Sequence, residues 1–408
     1  MKRNICFFFG ILTCFMMLLW GAEEAKAEAD VNTLTKEQTE RMDKLEISLL
    51  TCTPHDEVYS LYGHTAIRVK DPVTDEDYVV NYGVFDTRVN MFVLRFIFGL
   101  TDYTMEAFDW KLFEKEYRHF GCGIYEQRMN MSAKEKVQFL LALQENAREE
   151  NKVYRYNYFY NNCTTKARDI LLGAFDGVGE PTQKTSWQRG EVSFRQLVHL
   201  GNDDYPWTMA GNDLLLGVGS DANTNYEERE FLPRVLAADL DSTRIVYADG
   251  TSKPAVSKAE WVVEPGKKWQ NPDMPTFPLT PTACALIFFA LVVMMVMMEC
   301  LVLKKELLYV HYGIYCLYAS VGVLLFLMLF SQHPTVRVNL QILMFNPLFF
   351  IFALPKVMKK WGRYAILVCL VMFLAGNTLQ TYAEGANVMA FALLTTFLPY
   401  LFCRVKKK

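Results

Sequence analysis

The sequence predicts an α+β domain outside the cytoplasm, followed by an all-α membrane domain of about five spans. Three observations support this prediction: an export-signal pattern at the N-terminus, a charged and aromatic-rich composition up to about residue 278, and apolar runs beyond it. The 408 residues are enough for more than one domain. The net charge of −3 favours no nucleic-acid partner, and we predict none.

The N-terminal segment has the pattern of an export signal. Two basic residues precede an apolar run, Ile5–Trp20, and an A-x-A cleavage pattern follows at Ala25–Ala27. We therefore assign residues 1–27 to a signal peptide and residues 28–278 to an exported domain. The alternative is an uncleaved anchor helix, and in either case the residues that follow lie outside the cytoplasm.

The membrane domain, residues 279–408, contains five apolar segments. They cover about 281–303, 307–330, 340–355, 364–376 and 388–402. The first two are long enough to cross a bilayer, which takes about 20 residues, whereas the last three are shorter and could be tilted, extended by their flanks or partly re-entrant. Most Lys and Arg residues of this domain lie in the loops expected inside, which is the positive-inside pattern. We therefore predict a multi-pass membrane protein.

Three cysteines, Cys52, Cys122 and Cys163, lie in the exported domain, where thiols tend to be oxidised. An odd number leaves at least one of them unpaired. A bridge between Cys52 and Cys122 with Cys163 free is one arrangement, but the spacing does not choose the pairing.

The segment NNCTTKARDILLGAF predicts a helix with Cys163 in its first turn. Asn161 or Asn162 is suited to cap this helix, and Ile170 and Leu171 indicate its apolar face. A helix N-terminus favours the thiolate form of a cysteine. The unpaired N–H groups of the first turn could also hold an oxyanion. The pattern therefore predicts a nucleophilic thiol.

A nucleophilic thiol needs a base, and His64 is the histidine best placed to serve. It lies in YGHTAIRV, where alternating residues predict a strand and Gly63 allows a close approach of another segment beside the histidine. A second predicted strand, DYVVNYGVFD, follows a turn. A histidine at the start of a hairpin that faces a helix beginning with cysteine is the geometry of papain-like enzymes. The other three histidines of the exported domain are expected to be surface or core residues.

The motifs GHTAIRV, NYGVFD and NNCTTKARD, together with the C-terminal apolar segments, resemble the bacterial Lnb-type lipoprotein N-acyltransferase family from about Leu45 to the end of the chain. The exported domain of that family is similar to permuted NlpC-like and lecithin:retinol-acyltransferase-like thiol enzymes, so the resemblance implies a papain-like α+β fold. In the permuted arrangement the histidine strand precedes the cysteine helix. The order of His64 and Cys163 matches it.

The resemblance implies a thiol acyltransferase in the bacterial inner membrane, with its catalytic domain on the periplasmic side and without a cofactor or a metal. Cys163 would take an acyl chain from a membrane phospholipid as a thioester. The N-terminal amine of a diacylglyceryl-cysteine lipoprotein would then receive the chain, with His64 moving the protons. Related thiol enzymes carry an orienting polar residue on the strand after the histidine strand, and here Asn81 is the first candidate and Asp86 the second.

Four further residues are candidates for substrate binding. Tyr62 and Asn162 stand close in sequence to the two predicted catalytic residues. His333 and Arg337 lie on the external side between the second and third predicted spans, where they could orient a lipid headgroup or pair with a phosphate, or else cap a short loop.

Two apolar stretches of the exported domain suit a lipid substrate. Asn90–Leu100 is either a core helix or an element that dips into the outer leaflet. The aromatic run Tyr154–Tyr160 predicts a strand packed on both faces, and it could also line an acyl groove.

Two other functions remain open from the sequence. A membrane-anchored cysteine peptidase or amidase acting on cell-wall peptide would use the same Cys–His pair, although a tether needs only one span. A non-enzymatic membrane scaffold would leave Cys163 inert, which the polar residues around this thiol disfavour.

Overall fold

The computed structural model describes residues 34–55, 60–86, 88–181, 190–202, 204–266 and 277–404. The predicted signal peptide, residues 1–27, lies outside the described residues. The chain divides into two compact units. The first comprises Met1–Glu191 and Thr224–Met274, and the second comprises Val192–Asn223 and Pro275–Lys408.

The first unit combines antiparallel strands with helices. Its strands are, in chain order, β1 (Glu46–Cys52), β2 (His64–Asp71), β3 (Glu76–Val84), β4 (Asp102–Asp109), β5 (Ile124–Met129), β6 (Val153–Arg155), β7 (Val178–Pro181), β8 (Thr243–Val246), β9 (Ser252–Pro254) and β10 (Val256–Val263). Its helices are α1 (Lys36–Lys44), α2 (Phe92–Ile97), α3 (Trp110–Phe120), α4 (Ala133–Ala147) and α5 (Cys163–Leu172), and, after two helices of the second unit, α8 (Tyr226–Arg229) and α9 (Pro233–Leu240).

The described strands form a seven-stranded sheet in the order β10-β5-β1-β2-β3-β4-β6 and a three-stranded sheet in the order β7-β8-β9. Every neighbouring pair is antiparallel. The predicted hairpin of the histidine strand is confirmed, because β2 pairs with β3. Strand β2 also pairs with β1, where His64 stands opposite Cys52. His64 thus begins a strand in the middle of the sheet.

Both faces of the central strands are covered. Alternate residues of a strand point to opposite faces, so Leu49 and Ile67 enter one cluster while Leu50 and Ala66 enter another. The first cluster includes residues of α4 and α5, and the second includes Trp110 and Phe113 of α3. Helix α5 packs on β2 and β3. This packing places the start of the predicted cysteine helix against the predicted histidine strand.

The aromatic run forms less strand than the sequence predicts. Only Val153–Arg155 pairs with β4, and the following residues make a turn that a bridge between Asn157 and Asn161 closes. The Asn157 side-chain oxygen accepts hydrogen bonds from the N–H groups of Phe159 and Tyr160. Such a local side-chain bond competes with a strand ladder, which explains the early end of β6.

The described part of the second unit is helical. Its helices are α6 (Phe194–His199), α7 (Pro206–Leu215), α10 (Pro281–Met297), α11 (Leu308–Met328), α12 (Pro334–Arg337), α13 (Phe349–Phe352), α14 (Pro355–Val357), α15 (Arg363–Gly376), α16 (Ala386–Thr395) and α17 (Leu398–Arg404), with short 3₁₀ or π stretches between some of them. Among the described residues, Pro281–Leu303 and Leu308–Met328 are long and apolar enough to cross a membrane, and Ala386–Leu401 is a shorter apolar stretch. The number of five spans stays a prediction.

The third predicted span, residues 340–355, is not one continuous helix. It begins as a 3₁₀ turn, Leu340–Leu343, and continues after a break as the four-residue helix α13. Pro347 lies in the break, and the residue before a proline is biased away from the helical conformation. That residue, Asn346, accepts a hydrogen bond from the N–H of Leu348 at 3.0 Å and so forms a local turn.

Residues 192–223 pack in the second unit, although the sequence analysis placed them with the exported domain. The N–H of Gly217 donates to the carbonyl of Thr335 at 2.8 Å. The Gln341 side chain donates to the carbonyl of Asp213 at 2.8 Å. These hydrogen bonds join distant parts of the chain, and no local pattern in 192–223 predicts them. The predicted domain 28–278 therefore contributes to both compact units.

Candidate active site

Cys163 is the first residue of helix α5, and the side chain of Asn162 caps that helix. The Asn162 Oδ1 accepts hydrogen bonds from the N–H groups of Thr164 and Thr165, each at 2.9 Å. The hydroxyl of Thr165 in return accepts from the N–H of Asn162, which completes a capping box. The predicted cap is confirmed, with Asn162 rather than Asn161 as its residue.

The predicted role of Asn162 in substrate binding does not fit its contacts. Its Nδ2 donates to the carbonyls of Tyr158 and Phe231, each at 2.9 Å. Both polar atoms of the side chain are therefore used inside the protein, and the residue is only 5% exposed. We assign Asn162 to positioning Cys163 instead.

His64 and Asn81 form the second part of the site. The Nε2 of His64 lies 2.9 Å from the Oδ1 of Asn81, and the same oxygen accepts from the N–H of Gly83 at 2.7 Å. Because a backbone N–H can only donate, the Asn81 atom in this position must be the oxygen. The Nε2 of His64 must then carry a proton. This leaves the Nδ1 nitrogen of His64 for the thiol.

Cys163 and His64 shift each other's pKa. Burial lowers the pKa of His64, but the thiolate charge and the hydrogen bonds to Cys163 and Asn81 outweigh burial and raise it. Burial raises the pKa of Cys163, but the imidazolium charge and the hydrogen bonds from His64 and the Thr65 N–H outweigh burial and lower it. The arrangement favours a thiolate–imidazolium pair, which is the reactive form of a catalytic cysteine.

The residues directly after His64 and Cys163 connect the strand to the helix. The Thr65 hydroxyl donates to the Thr164 hydroxyl at 3.1 Å, and neither residue is exposed. Gly63 holds the start of β2 close to β1: its φ is +77°, and an added Cβ would lie 2.6 Å from the carbonyl oxygen of Cys52. The predicted close approach at this glycine is confirmed.

Gly83 is a site residue that the sequence analysis missed. A Cβ at this position would lie 2.7 Å from the Cε1 of His64 and 3.2 Å from the Oδ1 of Asn81. Gly83 therefore provides the space for the imidazole and also a hydrogen bond to Asn81. The available signal was a glycine two residues after Asn81 within a predicted strand, since such a glycine marks a close approach.

The sequence predicts that N–H groups in the first turn of α5 could hold an oxyanion, and the hydrogen bonds of this turn leave one of these groups available. The N–H groups of Thr164 and Thr165 already donate to Asn162. Among the described residues, nothing accepts a hydrogen bond from the N–H of Cys163. This N–H is therefore the first-turn group that can face an oxyanion formed at the thiol.

The other predicted site residues have separate positions. Asp86 pairs with Arg88 at 2.8 Å in an exposed turn, and the hydrogen bonds from Arg88 lower the pKa of Asp86 to about 2, whereas the Nε2 of His64 lies beside Asn81. Tyr62 is half-buried with its ring edge-on to Tyr158, with centroids 5.4 Å apart.

His333 and Arg337 belong to the second unit. His333 is buried and precedes α12, and the Nε of the exposed Arg337 donates to the carbonyl of Ser331 at 2.6 Å. Their part in substrate binding stays a prediction.

Cys52 and Cys122 are buried free thiols, so the bridge that the sequence allowed between them is not formed. Burial raises the pKa of Cys52 and keeps it protonated. The Sγ of Cys122 donates to the carbonyl of Pro54 at 3.3 Å. Cys163 differs from both, because it is half-buried and its pKa is lowered.

The geometry combines a thiol with a lowered pKa, a base with a defined tautomer and an N–H at the thiol. These are the groups needed to form and resolve an acyl-thioester. No group of three or more His, Cys, Asp or Glu side chains that could hold a metal ion occurs in the described part of the chain.

Comparison with known families gives two matches. A model described as the Lnb N-terminal periplasmic domain matches residues 34–191, and a model described as the Lnb transmembrane domain matches residues 272–408. The first match includes Cys163, His64 and Asn81. No curated protein and no solved structure matches the chain.

Proposed function

The chain belongs to the Lnb family, and from this premise we propose that it is a lipoprotein N-acyltransferase that works through a thioester on Cys163. Membership of this family implies a membrane protein that has a periplasmic domain and resembles lipoprotein N-acyltransferases. We place it in the bacterial inner membrane as a multi-pass protein. The observation that carries the proposal is the Cys163–His64–Asn81 arrangement with its assigned tautomer.

In the first half of the reaction, the Sγ of Cys163 attacks the carbonyl carbon of a phospholipid ester. The oxyanion that forms lies at the N–H of Cys163, at the start of α5. The ester C–O bond then breaks, and the leaving alcohol takes the proton from His64. The products are an acyl-thioester on Cys163 and a lysophospholipid.

In the second half, the N-terminal amine of a diacylglyceryl-cysteine lipoprotein attacks the thioester. His64, now neutral, accepts the amine proton at Nδ1 as the C–N bond forms and the C–S bond breaks. The thiolate and the imidazolium are restored together. Asn81 holds the ring in one orientation throughout, since its oxygen keeps the proton on Nε2.

A variant at Cys163 tests this function in cells that lack lipoprotein N-acylation. Wild-type protein should produce triacylated lipoprotein N-termini, measured by mass spectrometry. Cys163→Ala should lower this transfer by at least about 10³-fold, since a covalent nucleophile has no substitute in the site. The matched control is Cys284→Ala, because Cys284 is also a half-buried free thiol but lies on α10.

Triacylated product from Cys163→Ala at the wild-type level would refute the mechanism. Unchanged diacylated lipoproteins with the wild type, together with cleaved cell-wall peptides, would instead favour the cysteine hydrolase. A wild-type protein that changes neither substrate, and whose Cys163 reacts with alkylating reagents no faster than Cys284, would favour the scaffold.

A further inference from the structure

The segment around α2 exposes a group of apolar side chains. They are Val89, Met91, Val93, Leu94 and Leu100, with exposures of 45%, 68%, 67%, 40% and 37%; we call them the apolar rim. Helix α2 itself buries none of its residues, so the core-helix interpretation of Asn90–Leu100 is wrong. A contiguous exposed apolar patch is typical of a surface that contacts another molecule or a membrane.

The other side of α2 continues into the protein as a series of aromatic rings. The Phe92 ring stacks on Phe85 with centroids 5.4 Å apart, and Phe85 stacks on Tyr103 at 4.8 Å. The Phe96 ring lies 5.7 Å from Tyr156, which stacks on Tyr103 at 4.2 Å. We call these five residues the aromatic seam. Two series of ring contacts, one through Phe85 and one through Tyr156, thus connect α2 to Tyr103.

The aromatic seam reaches the core cluster on which the catalytic thiol packs. Tyr103 belongs to the buried core cluster against which Cys163, Phe85 and Tyr156 pack. Burial raises the pKa of Tyr103 and of Tyr156, and the charge of Cys163 raises both further. An apolar chain that enters at α2 would thus meet the cluster that contains Tyr103 and against which Cys163 packs.

The charges beside the apolar rim suit a lipid headgroup. Arg88 is exposed, but Asp86 compensates its charge. Arg95 is exposed too, and its Nη2 donates to the carbonyl of Leu100 at 3.0 Å. A cation beside exposed apolar side chains is the composition of an element that lies in a bilayer interface.

We propose that the apolar rim lies in the outer leaflet of the bilayer and that the aromatic seam conducts an acyl chain of a membrane lipid to Cys163. The lipid is the occupant that fits, because the described part of the chain has two helices long and apolar enough to cross a membrane and because the rings behind the rim reach the cluster on which Cys163 packs. The second half of the proposal rests on the proposed function. The first half, contact with lipid, does not.

Photo-crosslinking tests the contact. The full chain, reconstituted in nanodiscs of phosphatidylethanolamine and phosphatidylglycerol, would carry p-benzoylphenylalanine at position 93 or, as a control, at position 73. Val73 is a matched control because it is 54% exposed and lies in the turn between β2 and β3. We expect lipid adducts at position 93 and only the unirradiated background at position 73. Equal adduct yields at both positions, or none at position 93, would overturn the proposal.

A second measurement distinguishes the delivery of a lipid along the aromatic seam from the reaction of Cys163 itself. Val93→Asp should slow acylation of Cys163 by nanodisc phospholipid roughly tenfold, because a charge on the rim opposes insertion. Acylation by the water-soluble ester p-nitrophenyl butyrate should stay at the wild-type rate, which also shows that the variant is folded. Val73→Asp should change neither rate.

The outcomes distinguish the two proposals. If wild-type Cys163 accepts no acyl group from either ester, the proposed function fails, while crosslinking at position 93 still decides the contact. If wild type is active and Val93→Asp uses phospholipid at the wild-type rate, the route through the rim is refuted and the proposed function stands.

Discussion

Arg195 in the second unit and Cys163 in the first unit both interact with several polar partners, but only Cys163 keeps an atom free to react. Arg195 is 1% exposed, and its guanidinium donates to the carboxylates of Asp213 and Asp221. It also donates to the hydroxyl of Ser220 and to nearby carbonyls. Every nitrogen of this group therefore has an acceptor.

At the Cys163 site, only some of the hydrogen-bonding groups have partners within the described part of the protein. His64 is held firmly through Asn81, yet the thiol remains half-buried and has a lowered pKa. A fully satisfied buried ion network stabilises one arrangement of its segment, whereas a reactive site must keep a lone pair and a donor for the substrate. We therefore expect substitutions of Arg195 to lower the stability of the protein and substitutions around Cys163 to change the rate of its reaction.

The largest expected effect is on stability. Arg195→Leu should lower the free energy of unfolding by about 3–5 kcal/mol, because it leaves the carboxylates of Asp213 and Asp221 without their buried partner. Thermal unfolding of the full chain in nanodiscs measures it. Arg148→Leu is the control, since Arg148 forms an ion pair with Glu145 but its side chain is 54% exposed, and its loss should cost about 0–1 kcal/mol. Equal losses for both variants would contradict the comparison.

A smaller effect, on the rate of Cys163 acylation, is expected from a substitution of Gly83. Gly83→Ala would place a Cβ 2.7 Å from His64 Cε1 and should displace the imidazole, which lowers the rate of Cys163 acylation roughly 10–100-fold. Gly211→Ala is the control, because outside its chain neighbours and the backbone of its own helix no atom lies within 4 Å of its added Cβ. Acylation kinetics with a soluble ester measure both variants. An unchanged rate for Gly83→Ala would show that His64 does not need this space.

The smallest expected effect is a change in pH dependence. The thiolate forms above the pKa of Cys163, and the charge of His64 holds that pKa below its ordinary value. His64→Gln removes the positive charge and keeps the burial, so the midpoint of the alkylation rate against pH should move to higher pH. Iodoacetamide labelling between pH 5 and pH 10 (a range of roughly this width brackets a cysteine pKa) gives the midpoint. A midpoint that stays in place would mean that His64 does not stabilise the thiolate.

The sequence predicted those parts of the site that depend on neighbouring residues. The start of α5 at Cys163 and its cap follow from NNCTT, because a capping box is made within four residues. The start of β2 at His64 follows from Gly63 and the alternation after it. The family resemblance then suggested Asn81. The signals at Cys163 and His64 are local, so a single sequence is enough to identify them.

The tertiary structure decided which groups face each other. The hydrogen bond between Thr65 and Thr164 joins residues 99 apart, and the space that Gly83 leaves for His64 exists only once β2 and β3 pair. Residues 192–223 joined the second unit through hydrogen bonds to residues more than 100 positions away. Local patterns set which backbone shapes a segment can adopt, but the partner of each side chain depends on how distant segments pack, and that information is spread over the whole chain.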